Sequence, residues 1–149
     1  MELTGVEMNK KQIILAALAS SDGALHTPVQ VQKLLFLIDR EIPSLVGGPL
    51  FDFQPYNYGP FDKTVYSELS ELAGEGDVVM IPQNNWLSYQ LTARGLENGK
   101  KLLESLPEQA KDYIGQVSQF VRSLSFAELV AAIYAAYPEM RQNSVFQKC

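Results

Sequence analysis

Scarcity says much about this sequence. Its 149 residues include one cysteine, one histidine and one tryptophan. With Cys149 alone, no intramolecular disulfide can form, which fits a reducing compartment and leads us to expect a cytoplasmic location. One histidine and one cysteine cannot supply paired ligands on a helix face, so no metal or cofactor site is expected. No apolar run, residues 34–38 included, approaches the roughly 20 residues that a membrane span needs. The opening MELTGVEMNKK puts acids before lysines with no apolar stretch behind them, so no signal peptide is expected. Bases are few as well, 12 against 17 acids, for a formal charge of −5. That balance argues against a surface built to hold polyphosphate.

The remaining composition is ordinary for a globular chain, with 46% hydrophobic and 19% charged residues. The length suits one compact domain over 1–149, with a core at 9–106, C-terminal helices at 107–138 and a tail at 139–149. Ile13, Ile14, Ala17 and Leu18 recur at helical spacing in 9–19, and Ser20 to Gly23 supply turn chemistry. Thr27, Pro28 and Gln30 form a capping box with proline at the first helical position, opening a helix over 28–41. Val31, Leu34, Leu35, Ile38 and Ile42 stripe that helix, and Phe36 and Leu37 widen the stripe until it reads as the central core helix. Residues 44–49 read as a loop and 51–54 as a short edge strand limited by Pro55. Gly59-Pro60 reads as the start of a third helix, with Asp62 in its first turn and a stripe of Phe61, Val65, Leu69, Leu72 and Ala73. A hairpin follows, 78–81 and 86–91 about a turn at 82–85, before Thr92 caps a helix to about 106. Ala110, Ile114, Val117, Val121 and Leu124 then repeat at 4-3-4-3 spacing over 107–124. Ser125 and Glu128 form another capping box, for a last helix striped by Phe126, Leu129, Val130, Ile133, Tyr134 and Tyr137.

Helices, a hairpin and a further helix are the element order of a winged helix. The string Gln32-Lys33-Leu34-Leu35-Phe36-Leu37-Ile38-Asp39, with Phe53, Tyr58-Gly59-Pro60-Phe61 and Tyr66-Ser67-Glu68-Leu69, resembles a group of bacterial winged-helix-like proteins related to the Panacea (SocA-like) antitoxin domain. The resemblance covers about residues 9–105, and the Leu91-Thr92-Ala93-Arg94-Gly95 step is similar to the exit from a winged-helix hairpin. It implies an antitoxin-like module acting through other proteins, and it implies no catalytic residues.

The residues that could carry chemistry offer no catalytic constellation. His26 has no identifiable carboxylate to orient it and reads as a surface or loop-packing side chain. Cys149 lacks a base. Glu68, Glu71 and Glu75 read as a solvated helix face. Gly95 and Gly99 mark a close helix approach or nothing.

Binding is therefore the expected activity, and two partners compete. Between residues 60 and 91 one base, Lys63, faces five acids, Asp62, Glu68, Glu71, Glu75 and Asp77, which disfavours a phosphate backbone. Lys10, Lys11, Lys33, Arg94, Lys100 and Lys101 would form a basic patch only if the fold gathered them. Aromatic residues suit a protein partner better. We expect a mainly α fold with a small β hairpin, a winged-helix-like core and two C-terminal helices. Its expected role is non-enzymatic and regulatory or antitoxin-like, through Tyr56, Tyr58, Tyr66 and Trp86. The alternative is a transcriptional regulator presenting Lys63, Ser67 and Ser70 to DNA. Ala131, Ala132, Ala135 and Ala136, with the heptad-like 107–124, suggest a homodimer through the C-terminal helices.

Overall fold

The computed structural model describes residues 7–145, so Cys149 lies outside the described residues. The chain is mainly α-helical with small antiparallel strand pairs, as the patterning predicts. Lys10–Ala19 forms α1, where Asn9 caps and Gln12 reaches back to the Asn9 N–H at 2.9 Å. Pro28–Glu41 forms α2, opened by the Thr27–Gln30 capping box. Every side chain from Val31 to Asp39 on α2 is buried, so this helix runs through the centre of the protein. A single turn, α3 (Pro43–Val46), interrupts the expected loop.

The next segment departs from expectation. The strand falls at β1 (Gln54–Tyr56) rather than 51–54, and Gly59–Phe61 is its antiparallel partner β2 rather than a helix start. Gly59 has φ +105°, a left-handed backbone that blocks helix initiation and that glycine alone adopts cheaply. Pro55 lies opposite Pro60. Neither can donate, which a ladder tolerates where opposed residues exchange no hydrogen bonds. The helix α4 (Lys63–Gly74) therefore starts later, with Asp62 as its N-cap instead of a first-turn acid. Phe61 leaves the core stripe accordingly, while Val65, Leu69 and Leu72 remain buried.

The second hairpin is longer than its alternation suggests. β3 (Val78–Gln83) pairs with β4 (Trp86–Leu91), and only Asn84 and Asn85 turn the chain. Pro82 is accommodated because a two-stranded ribbon has an outer edge that needs no N–H. His26 exchanges backbone hydrogen bonds with Tyr89 at 2.9 and 2.8 Å, adding one bridged residue to β4. Thr92 then caps α5 (Ala93–Glu104). Ala110, Ile114, Val117 and Val121 of α6 (Glu108–Ser123) are buried within this chain, in the cluster built on α1 and α2. The 4-3-4-3 stripe is thus consumed internally, not offered to a second copy. α7 (Phe126–Ala136) follows the Ser125 capping box, and a 3₁₀ turn, Pro138–Arg141, buries Met140. The segment expected as a tail is tied down: Val145 N–H donates to Asn57 O at 2.9 Å.

The Gly95/Gly99 pair does mark a close approach. A Cβ at Gly99 would stand 2.5 Å from the Leu15 carbonyl oxygen on α1, and one at Gly95 would stand 1.9 Å from that of Asp77. Gly99→Ala should cost about 2 kcal/mol by overpacking the α1–α5 contact. At Gly115 a Cβ meets nothing within 4 Å, and Gly115→Ala should add about 0.5 kcal/mol of helix stability. Urea unfolding of both variants checks the pair.

His26 packs inside the protein rather than on its surface, fully buried, with Nδ1 3.0 Å from the Ala24 carbonyl and no partner for Nε2 among the described residues. Burial pushes its pKa down to about 4 from 6.5; Arg122 acts in the same direction and the Ala24 carbonyl opposes it. Above pH 6.5 folded and unfolded states are both neutral here. As pH falls from 6.5 towards 4, the unfolded state takes up a proton that the folded state refuses, so stability drops by about 3 kcal/mol. The stability difference between wild type and His26→Gln should slope across that window and be flat above it. A parallel pair of curves would remove His26 as the cause.

Candidate functional site

Polar side chains on α2 hold the neighbouring arm of the chain in place. Asp39 accepts hydrogen bonds from the Leu50 and Phe51 N–H groups at 2.6 and 3.2 Å. Gln32 donates to Asp62 O and accepts from Asp62 N–H, both at 3.0 Å. Lys33 donates to Pro60 O at 3.3 Å. Asp62 in turn accepts from Asp52 N–H at 2.7 Å, Thr64 N–H at 2.8 Å and the Thr64 hydroxyl at 2.7 Å. Burial works against the Asp62 charge, but these donors hold its carboxyl below the usual range. Fixed in this way, the β1–β2 hairpin projects its aromatic residues beside the N-terminus of α2.

Tyr56 stacks on Phe61 with centroids 4.9 Å apart, and Tyr58 meets Phe126 edge-on at 5.1 Å. Trp86 comes from the tip of the other hairpin, its indole N–H donating to the Ser88 hydroxyl at 3.2 Å. Tyr58, Trp86 and Phe126 stand around a cleft of about 710 Å³ whose floor includes Val29 and Leu129. Across Pro28 a second depression, of about 540 Å³, lies between Trp86, Tyr66 and Tyr89. Beneath the β1–β2 hairpin a third recess of about 250 Å³ is lined by Tyr56, Tyr58, Phe126 and Lys33.

All four residues expected to face a partner are thus gathered around Pro28, but not equally. Tyr56, Tyr58 and Trp86 are 51%, 43% and 43% exposed. Tyr66 is half-buried and stacked on Tyr89 at 6.3 Å, and burial pushes its phenol up to about 12. It is part of the wall more than a projecting anchor. Phe126, expected among the buried residues of the last helix, is 46% exposed and completes the cleft. Its place at the first position of α7, immediately after the Ser125 cap, was the available signal, since a first-turn side chain can lie beyond the packed stripe.

The charged residues are distributed differently. Lys63, Ser67 and Ser70 share one exposed face of α4. The other bases do not gather beside them. Lys11 bridges Glu71 at 2.8 Å and Glu75 at 2.9 Å, and these carboxylates hold its pKa above the usual lysine value. Lys10 donates to the Thr64 hydroxyl at 3.0 Å, Arg94 pairs with Asp77 at 3.3 Å, and Lys100 pairs with Asp22. Lys101 lies 3.9 Å from Glu97. Lys33 is buried, so it cannot belong to a surface patch. Among the described residues there is no cluster of three or more histidine, cysteine or carboxylate side chains able to hold a metal ion. Nor is any helix among them long and apolar enough to cross a membrane. Comparison with protein-family models, with curated proteins and with solved structures gives no match.

Proposed function

We propose that this chain is a non-enzymatic, antitoxin-like regulatory module of the cytoplasm that binds another protein at the aromatic cleft beside α2. The observation that carries the reading is the convergence of three exposed rings, Tyr58, Trp86 and Phe126, on one apolar cleft of about 710 Å³. Tyrosine and tryptophan bury much area for little lost side-chain entropy and dominate binding energy at protein interfaces. With the single turn α3 and the β1–β2 hairpin inserted between α2 and α4, the order α1, α2, α4, β3–β4 hairpin, α5 also supports the winged-helix-like reading.

The DNA-binding alternative draws on the alignment of Lys63, Ser67 and Ser70 along α4. Glu71 sits on the same helix and Glu75 at its C-terminal cap, and the nearby Lys11 is already paired with both. A duplex would meet acids where it needs about 6–10 phosphate contacts for strong binding. A homodimer through α7 would use the exposed Ala135 and Ala136 beside the half-buried Ala131 and Ala132.

A photo-crosslinking phenylalanine analogue placed at position 86 in living cells tests the reading. It should yield one discrete protein adduct, lost when Tyr58→Ala and Phe126→Ala are added, whereas the same analogue at position 67 should yield none. Adducts from position 67 alone would refute the cleft, and an adduct of twice the chain's own mass would identify a homodimer. Trp86→Ala should change stability by less than about 1 kcal/mol, because its ring is nearly half exposed. Outright unfolding by that substitution would make Trp86 a core residue. In parallel, a fluorescent mixed-sequence duplex should show no anisotropy change at low salt. Steeply salt-dependent binding would put the regulator first.

A further inference from the structure

The recess beneath the β1–β2 hairpin differs from the two larger depressions beside Pro28 because a lysine forms part of its wall. Lys33 is 3% exposed, and among the described residues its ammonium makes one hydrogen bond, at 3.3 Å to Pro60 O. An ammonium carries three donors, so two remain unused. No carboxylate of the described residues pairs with it; Asp39 and Asp62, the buried acids nearest in the chain path, are committed to backbone N–H groups. The hairpin backbone closes over the amine, since a Cβ at Gly59 would lie 3.5 Å from both Cε and Nζ of Lys33.

A purely structural tie explains this arrangement poorly. A bond at 3.3 Å is beyond the usual N–H···O range, and a buried charge without a counter-charge is costly. Burial alone pushes the amine down to about 7, so near neutrality it sits poised between its charged and neutral forms. A carboxylate entering the recess would supply both missing acceptors and the missing negative charge. The walls specify the remainder of such a ligand, because Tyr56, Tyr58, Phe61 and Phe126 line the same recess as Lys33. At about 250 Å³ the recess is smaller than the 300–1,000 Å³ usual for drug-sized ligands and matches one ring or short chain with its carboxylate.

We propose that this recess binds a small aryl or alkyl carboxylate, with Lys33 as its ion-pair partner and the aromatic side chains of the hairpin and α7 enclosing its apolar part. The site does not rest on the protein-contact reading and would stand if that reading failed. A free organic acid and the terminal carboxyl of a peptide present the same chemistry, and the test separates them.

Fluorine NMR of the full chain titrated with 4-fluorophenylacetate and, separately, 4-fluorophenylacetamide reads the charge requirement directly. The acid should bind about tenfold more tightly than the amide, since a charge-assisted bond to a buried ammonium is at stake. Lys33→Met should reduce the acid to the affinity of the amide, while Lys63→Met on the exposed α4 face leaves it unchanged. The melting temperature of Lys33→Met should equal or exceed that of wild type, because an uncompensated buried charge has been removed. A readout on the unmutated protein runs beside it: the acid, not the amide, should protect Lys33 from acylation as mapped by mass spectrometry. A peptide ending in a free phenylalanine carboxyl that binds more tightly than the small acid identifies a chain terminus as the source; the reverse order identifies a free acid. Equal affinity for acid and amide, no binding of either at millimolar concentration, or an unprotected Lys33 would each overturn the proposal.

Discussion

The two-way exchange between the Gln32 side-chain amide and the backbone of Asp62 is the constraint on which the functional half of the molecule depends. α2 is buried from Val31 to Asp39, so a polar residue in that stretch cannot turn to water and must find a partner within the fold. Gln32 finds donor and acceptor on one residue, 30 positions further along the chain. Asp39 and Lys33 do the same with Leu50, Phe51 and Pro60. An irregular arm, with too few strand residues to hold itself, is thereby laid against a rigid helix. Its two three-residue strands would be marginal alone. Asp62 carries the arrangement forward, because the residue whose backbone Gln32 grips also caps α4 and accepts from Asp52.

The position of the cleft follows from this. Tyr56 and Tyr58 flank the tip of the gripped hairpin, Phe126 opens the last helix and Trp86 opens β4, so the rings that meet near Pro28 come from segments far apart in sequence. Charge reinforces the division of the surface. Lys11, Arg94 and Lys100 are engaged by acids on or near neighbouring elements, which leaves the α4 side with little free positive charge. None of these paired residues lines the apolar cleft.

What the sequence made legible was whatever depends on local chemistry. The Thr27–Gln30 and Ser125–Glu128 boxes, Thr92 at the start of α5 and the apolar girth of α2 are each decided within a few residues, and each forms as the pattern implies. Tyr56, Tyr58 and Trp86 were legible as candidates because bulky aromatic residues beside turns have few places to hide. The segment 51–62 departs from its local pattern because its conformation is imposed from outside. Gly-Pro reads locally as a helix start, whereas the positive φ at Gly59 and the grip of α2 on Pro60 and Asp62 hold it as a strand. Lys33 was unreadable for the same reason. A lysine on a helix is ordinarily a surface residue, and nothing local reports that an arm from beyond position 50 will cover it.

The recess and the cleft are parts of one surface. Tyr58, Phe126, Pro28 and Val29 line both, and Tyr56 adds the outer wall of the recess. Anything seated against Lys33 therefore touches side chains that a protein partner would also touch. Rings in such a position have two environments available, one set by an empty recess and one by a filled one. If both ligands favour the same arrangement of Tyr58 and Phe126, each strengthens the other by the same factor; if they compete for those rings, each weakens the other equally. The sign is set by whether the two exposed rings are shared or divided between the two occupants, and the buried polar contacts of α2 supply the rigid base against which either arrangement must be made.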